Sequence, residues 1–136
     1  MTRHRIHTDD GAELHFEEDG AGPPLMLVNG AFCTVRQWDR VVAELARSFR
    51  VIRHDVRGTG RSGAGPDDHN CFEQYADDIV AIEDQLGVDQ SVLWGMAWGA
   101  TRTSSPAGAL SRASPLRASR CCPTRGTARC CSGRIW

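Results

Sequence analysis

Apolar and polar positions along the first twenty residues repeat with a period of two. In "AELHFEE", Leu14 and Phe16 alternate with Glu13, His15 and Glu17, which predicts a half-buried strand. Asp10-Gly11 is a hairpin-turn signal and pairs this run with the preceding "RHRIHT". After the turn-rich "DGAGPP", the pattern changes to the continuous apolar run "LMLV", the signature of a strand covered on both faces of a parallel sheet. Val35, Trp38, Val42, Leu45 and Phe49 then recur at three- and four-residue steps and lay one apolar stripe along a helix. "RVIRHD" predicts the next buried strand. Phe72, Tyr75, Ile79, Ile82 and Leu86 predict a second amphipathic helix that stops at Gly87, and "SVLWG" a third buried strand.

Strand, helix, strand, helix, strand with short connections implies parallel βαβ crossovers with helices on the faces of the sheet. The predicted class is therefore α/β: an N-terminal β-hairpin followed by a parallel βαβαβ unit. Such sheets carry their ligand-facing loops at the carboxyl ends of the strands, where "NGAF", "DVRGTGRS" and "GMAWG" fall. His54 and Asp55 end the second of these strands. Residues so placed more often hydrogen-bond neighbouring loops than react with a ligand.

The periodicity disappears at Thr101. All 17 acidic residues lie between Asp9 and Asp89, so residues 1–100, with nine arginines, carry a net −8, whereas residues 101–136 carry seven arginines and no acid. The expected organisation is one domain over 1–100 and an irregular, disordered tail over 101–136. Every basic residue is arginine, as a GC-rich gene produces, and a shifted reading frame in such a gene yields a tail of this Arg, Ser, Ala, Pro and Cys composition. No run approaches the ~18 apolar residues of a spanning helix, and the N-terminus has no apolar segment resembling a signal peptide. The expectation is a cytoplasmic protein with no membrane partner.

Two motifs invite chemistry that their context does not support. "GTGRSG" at Gly58–Gly63 satisfies the dinucleotide fingerprint GxGxxG, but "AGPDDHN" follows it instead of a helix whose N-terminus could meet a pyrophosphate. Cys121, Cys122, Cys130 and Cys131 form adjacent pairs, whereas a zinc site spaces each pair by two to four residues. Cys33 and Cys71 are expected to be ordinary small residues. Neither a metal nor a cofactor is expected. The basic tail lacks the aromatic residues and scaffold of a specific nucleic-acid binder.

The segments "LMLVNGAFCTVRQWDRVVAELARSFRVIRHDVRGTGRSG" and "YADDIVAIEDQLGVDQSVLWGMAWGA" together resemble the amino-terminal half of the α/β-hydrolase fold. The likeness runs over about residues 10 to 100 and is closest to small esterases, lactonases and aminopeptidase-like members. It rests on an ordered set: the "NG" turn, Trp38, "DVRGTGRS", the "YADDI" helix and "GMAWG". The fold it implies is an incomplete α/β-hydrolase sheet.

The resemblance also implies a site. "GMAWG" matches the nucleophile elbow, with Gly95 and Gly99 as its close-packing glycines and Ala97 where the family carries serine. The oxyanion hole would be formed by the backbone N–H groups of Ala31 and Trp98. Asn29-Gly30 stands where the family more often has His-Gly. The family's later acid and histidine have no counterpart, since all five histidines precede Ala97 and no acidic residue follows it. The chain is thus expected to be catalytically inactive, though derived from hydrolases of ester, lactone or amide bonds. An active hydrolase using another nucleophile or an activated water, and a non-catalytic binding or scaffold protein of the same fold, are the alternatives. The expected partner is a small-molecule carbonyl substrate or ligand.

Overall fold

The computed structural model describes residues 1–30, 32–66 and 72–96. The chain begins with the antiparallel hairpin of β1 (Thr2–His7) and β2 (Glu13–Asp19), in register Ile6 to Leu14 and His4 to Phe16. β3 (Pro24–Val28) leads into a 3₁₀ turn (Val35–Trp38) and α1 (Asp39–Leu45), then β4 (Arg50–His54), α2 (Phe72–Gln85) and β5 (Val92–Gly95). The five strands form one sheet in the order β1-β2-β4-β3-β5. β3 runs parallel to both β4 and β5, and β2 joins β4 antiparallel. The predicted hairpin and parallel βαβαβ unit are both present.

Alternation along the central strands divides the core between the two faces of the sheet. Leu14, Phe16, Met26, Val28 and Ile52 pack with Ile79 and Ile82 of α2 on one face. Leu25, Leu27 and Val51 pack with Trp38, and with Val42 and Leu45 of α1, on the other. A buried side chain of this size contributes roughly 1.5–3 kcal/mol. The uninterrupted apolar runs of β3 and β4 therefore feed two half-cores. α2 ends as its sequence predicts: Gly87 has φ 64°, and the Val88 N–H closes back on the Glu83 carbonyl at 2.9 Å.

Three features differ from expectation. The helix predicted to reach Phe49 stops at Leu45, because only a few residues remain before Arg50 must pair with Pro24 at the start of β4. The reversal packs directly on the loop after β2. A Cβ on Gly20, whose φ is +78°, would stand 2.4 Å from the carbonyl oxygens of both Ala46 and Phe49. Phe49 still packs against the same core cluster, so the period identified the right residues although the backbone leaves the helix.

Secondly, the polar face of β2 is not a water face. His15 and Glu17 are buried, and Glu17 lies opposite Arg53 of β4 in the ladder, with carboxylate and guanidinium 2.8 Å apart. Arg53 also reaches Asp39 of α1 at 2.8 Å, while Arg3 and Arg61 approach Glu17 at 3.2 and 3.4 Å. Because α1 is short, paired charges complete the cover of the sheet on that side. Finally, β5 was expected to be buried on both faces, yet Val92 and Trp94 are exposed while Leu93 packs against the α2 core. Trp94 still meets Trp38, with ring centroids 6.0 Å apart, so among the described residues that face of β5 is partly covered.

Candidate active site at the carboxyl end of the sheet

β3 ends at Val28, which lies opposite Gly95 at the end of β5. The Met96 N–H donates to the Val28 carbonyl at 3.2 Å and carries this pairing one residue further. The base of the predicted elbow is therefore fixed beside the loop that follows β3. Of the predicted site residues, Gly95 is in this position. Ala31, Ala97, Trp98 and Gly99 lie outside the described residues, as does the C-terminal segment with its paired cysteines.

Asn29 holds the loop bases together. Its buried side-chain amide donates from Nδ2 to the His54 carbonyl at 2.8 Å and to the Cys33 carbonyl at 3.3 Å. Oδ1 accepts from the Trp38 indole N–H at 2.7 Å and from Gln37 Nε2 at 3.2 Å. A neutral carboxamide has two donors and two acceptor lone pairs, and all are used here; a neutral imidazole has one of each and could not replace it bond for bond. The sequence identified this residue only as part of an "NG" turn. Its role is set by four partners brought from 4, 8, 9 and 25 residues away, a relation that no local pattern contains.

Asp55 makes a second connection. Its Oδ1 accepts the Val35 N–H at 2.7 Å, and its Oδ2 accepts the Arg61 N–H at 2.9 Å. One carboxylate therefore positions the start of the 3₁₀ turn and the loop after β4. Gly60 allows this approach, since with φ +55° a Cβ there would lie 2.4 Å from Asp55 Oδ2. Ser62 closes the same loop, its hydroxyl donating to the Asp55 carbonyl at 2.7 Å and accepting the His15 N–H at 2.9 Å. In this setting "GTGRSG" is a compact turn, with the Gly58 N–H bonded to the Gly63 carbonyl, and α2 begins only at Phe72. The motif does not open a helix, so the geometry required for the dinucleotide fingerprint is missing.

Behind this loop lies Arg57, whose side chain is fully buried. It donates from Nε and Nη2 to the two oxygens of Asp78 on α2, at 2.8 and 2.6 Å, and from Nη1 to Asp10 in the hairpin turn at 2.7 Å. Burial works against the guanidinium charge, but the hydrogen bonds it donates to Asp78 and Asp10 outweigh it and hold the group still more firmly protonated. The clamp joins α2, the hairpin and the loop after β4.

His54 lies on the α2 face of β4, with its Nδ1 buried and without a hydrogen-bond partner. Burial lowers its pKa from the ordinary 6.5, and the charges of Asp78 and Asp55 only partly oppose this. The unfolded chain therefore takes up this proton more readily than the folded one. The stability that neutral His54 contributes is complete above the unfolded pKa and is lost as pH falls below it. The urea midpoint is expected to drop between about pH 7.5 and about pH 5.5, and to drop less in His54→Phe. Equal pH slopes in the two proteins would show that His54 does not drive the loss.

Among the described residues, no group of three or more His, Cys, Asp or Glu side chains could hold a metal ion. Among the same residues, no helix is long and apolar enough to cross a membrane.

A mixed sheet that is parallel at its centre, with helices on both faces and with the loops after β3 and β4 joined at its carboxyl end, is the framework of a large hydrolase class. Residues 23–103 match the family model described as alpha/beta hydrolase fold, and the chain belongs to that family. It is similar to an epoxide hydrolase from Caballeronia sordidicola, with 36% identity over 95 residues, covering 68% of this chain and 29% of that protein. It is also similar to a bifunctional esterase/perhydrolase from Acinetobacter calcoaceticus, 33% identical over 97 residues and covering 69% of this chain and 35% of the relative. Among solved structures, a hydrolase from Pseudomonas aeruginosa PA01 superposes with a TM-score of 0.66 at 33% identity, over 69% of this chain and 36% of that one. The chain thus spans about a third of the length of these relatives.

Proposed function

We propose that this chain binds a small molecule at the carboxyl end of its sheet and forms no covalent acyl intermediate at residue 97. The observation that carries this is Ala97 itself. It occupies the central position of "GMAWG", inside the segment that matches the family, and its methyl side chain has no oxygen to attack a carbonyl. The relatives' names include both an epoxide hydrolase and an esterase, so the ligand class proposed is a small neutral ester, lactone, amide or similarly polarised electrophile. Asn29 and Asp55 support it by fixing the loop bases that would surround such a ligand.

Ala97→Ser is the test. A serine hydroxyl becomes a nucleophile only when a base removes its proton and a third group orients that base. Within these 136 residues, no histidine or acid follows position 97. Neither the original chain nor Ala97→Ser is expected to release 4-nitrophenol from 4-nitrophenyl butyrate above a heat-treated control. Inhibitor-sensitive turnover by the unmodified chain would overturn the proposal in favour of another nucleophile or an activated water. Turnover by Ala97→Ser alone would show that an upstream group, with His54 the first candidate, already serves as base.

A further inference from the structure

Phe32 is out of keeping with its backbone. It lies in the turn after β3 that the Cys33 N–H closes on the Gly30 carbonyl at 3.2 Å, and its φ is +61°. This left-handed region favours glycine, and a bulky aromatic residue there is an outlier. A strained side chain is ordinarily compensated by packing, yet Phe32 is 95% exposed. The turn is held from both sides: Asn29 Nδ2 binds the Cys33 carbonyl, and Asp55 binds the Val35 N–H. Strain of this kind persists where the surroundings over-determine the conformation, and it concentrates at ligand sites.

Resting on the small-molecule site proposed above, we propose that Phe32 is a specificity-determining residue, an aromatic platform that selects ligands carrying a flat apolar group beside their polarised bond. Its position suits this role. The loop that bears it leaves β3 where β5 ends, and Met96, the first residue beyond β5, is also exposed. Among the described residues, two apolar side chains from adjoining strand ends therefore stand exposed at the carboxyl end of the sheet. Aromatic rings stack on such platforms in offset or edge-to-face geometry, whereas a short alkyl chain gains little from them.

The test compares phenylacetamide with butyramide, two neutral amides, by ligand-observed NMR titration of the full chain. Phe32→Gly is expected to weaken phenylacetamide binding by about 3- to 10-fold and to leave butyramide within about 2-fold. Phe32→Trp is expected to keep the aromatic preference. Because glycine accepts the left-handed φ, the Tm of Phe32→Gly should equal or exceed that of the unmodified chain. Equal weakening of both amides, or a Tm drop of more than about 4 °C, would make Phe32 a structural residue and overturn the inference while the site proposal stands. Failure of either amide to bind the unmodified chain would overturn both.

Discussion

Arg57→Met is expected to destabilise the fold by about 3–5 kcal/mol, because it leaves the buried Asp78 carboxylate without the guanidinium that neutralises it. Asp78 is 2% exposed and receives both Nε and Nη2 of the guanidinium, so its solvation in the folded state comes largely from Arg57. Against a total stability of roughly 5–15 kcal/mol for an ordinary domain, such a loss approaches complete unfolding. Removing both ends should be milder. In Arg57→Met/Asp78→Leu the buried charge is gone, and Asp10, at 11% exposed, can regain water. Urea unfolding followed by circular dichroism of the two single variants and the double gives the coupling directly. A double variant less stable than Arg57→Met would show that the clamp acts through packing and not charge.

The second large effect is expected at Asp55. Asp55→Ala removes the acceptor of two backbone N–H groups, each left unsatisfied at about 1–3 kcal/mol, for a combined loss of about 2–6 kcal/mol. Asp55→Asn should fall between, since its amide oxygen can replace one carboxylate oxygen while its NH₂ faces an N–H donor. Hydrogen exchange gives the specific readout: the Val35 and Arg61 amides should lose protection in Asp55→Ala before the strand amides of β3 and β4 do. Unchanged exchange at both sites would mean that Asp55 is not what holds the two loops.

The elements that were legible in the sequence are those whose period is carried by side-chain burial. Leu14 and Phe16 marked β2, the "LMLV" run marked β3, and Ile79 and Ile82 marked the inner face of α2. Gly87 marked the end of α2 because its left-handed φ is a local requirement. The end of α1 was not legible, since it is dictated by the distance left to β4 and by the backbone of Gly20 pressing on Ala46 and Phe49. The burial of Glu17 was hidden for a similar reason: its partner Arg53 lies 36 residues further along and meets it only through sheet register. At the site, glycine spacing was the signal that singled out Gly95, whereas the roles of Asn29 and Asp55 depend on partners from separate elements. Phe32 was passed over within "NGAF" because nothing in the letters indicates a left-handed φ.

Asn29 has a consequence for how such a scaffold can be altered. One carboxamide ties the end of β4, the turn after β3 and the first helical turn into a single joint. Insertions or deletions within those anchored stretches would shift three loops together, whereas changes at the protruding tip where Phe32 sits would shift none of them. A designer wishing to graft a new ligand preference onto this framework has an adjustable rim mounted on a rigid bearing, and the boundary between them falls within the four residues from Asn29 to Phe32.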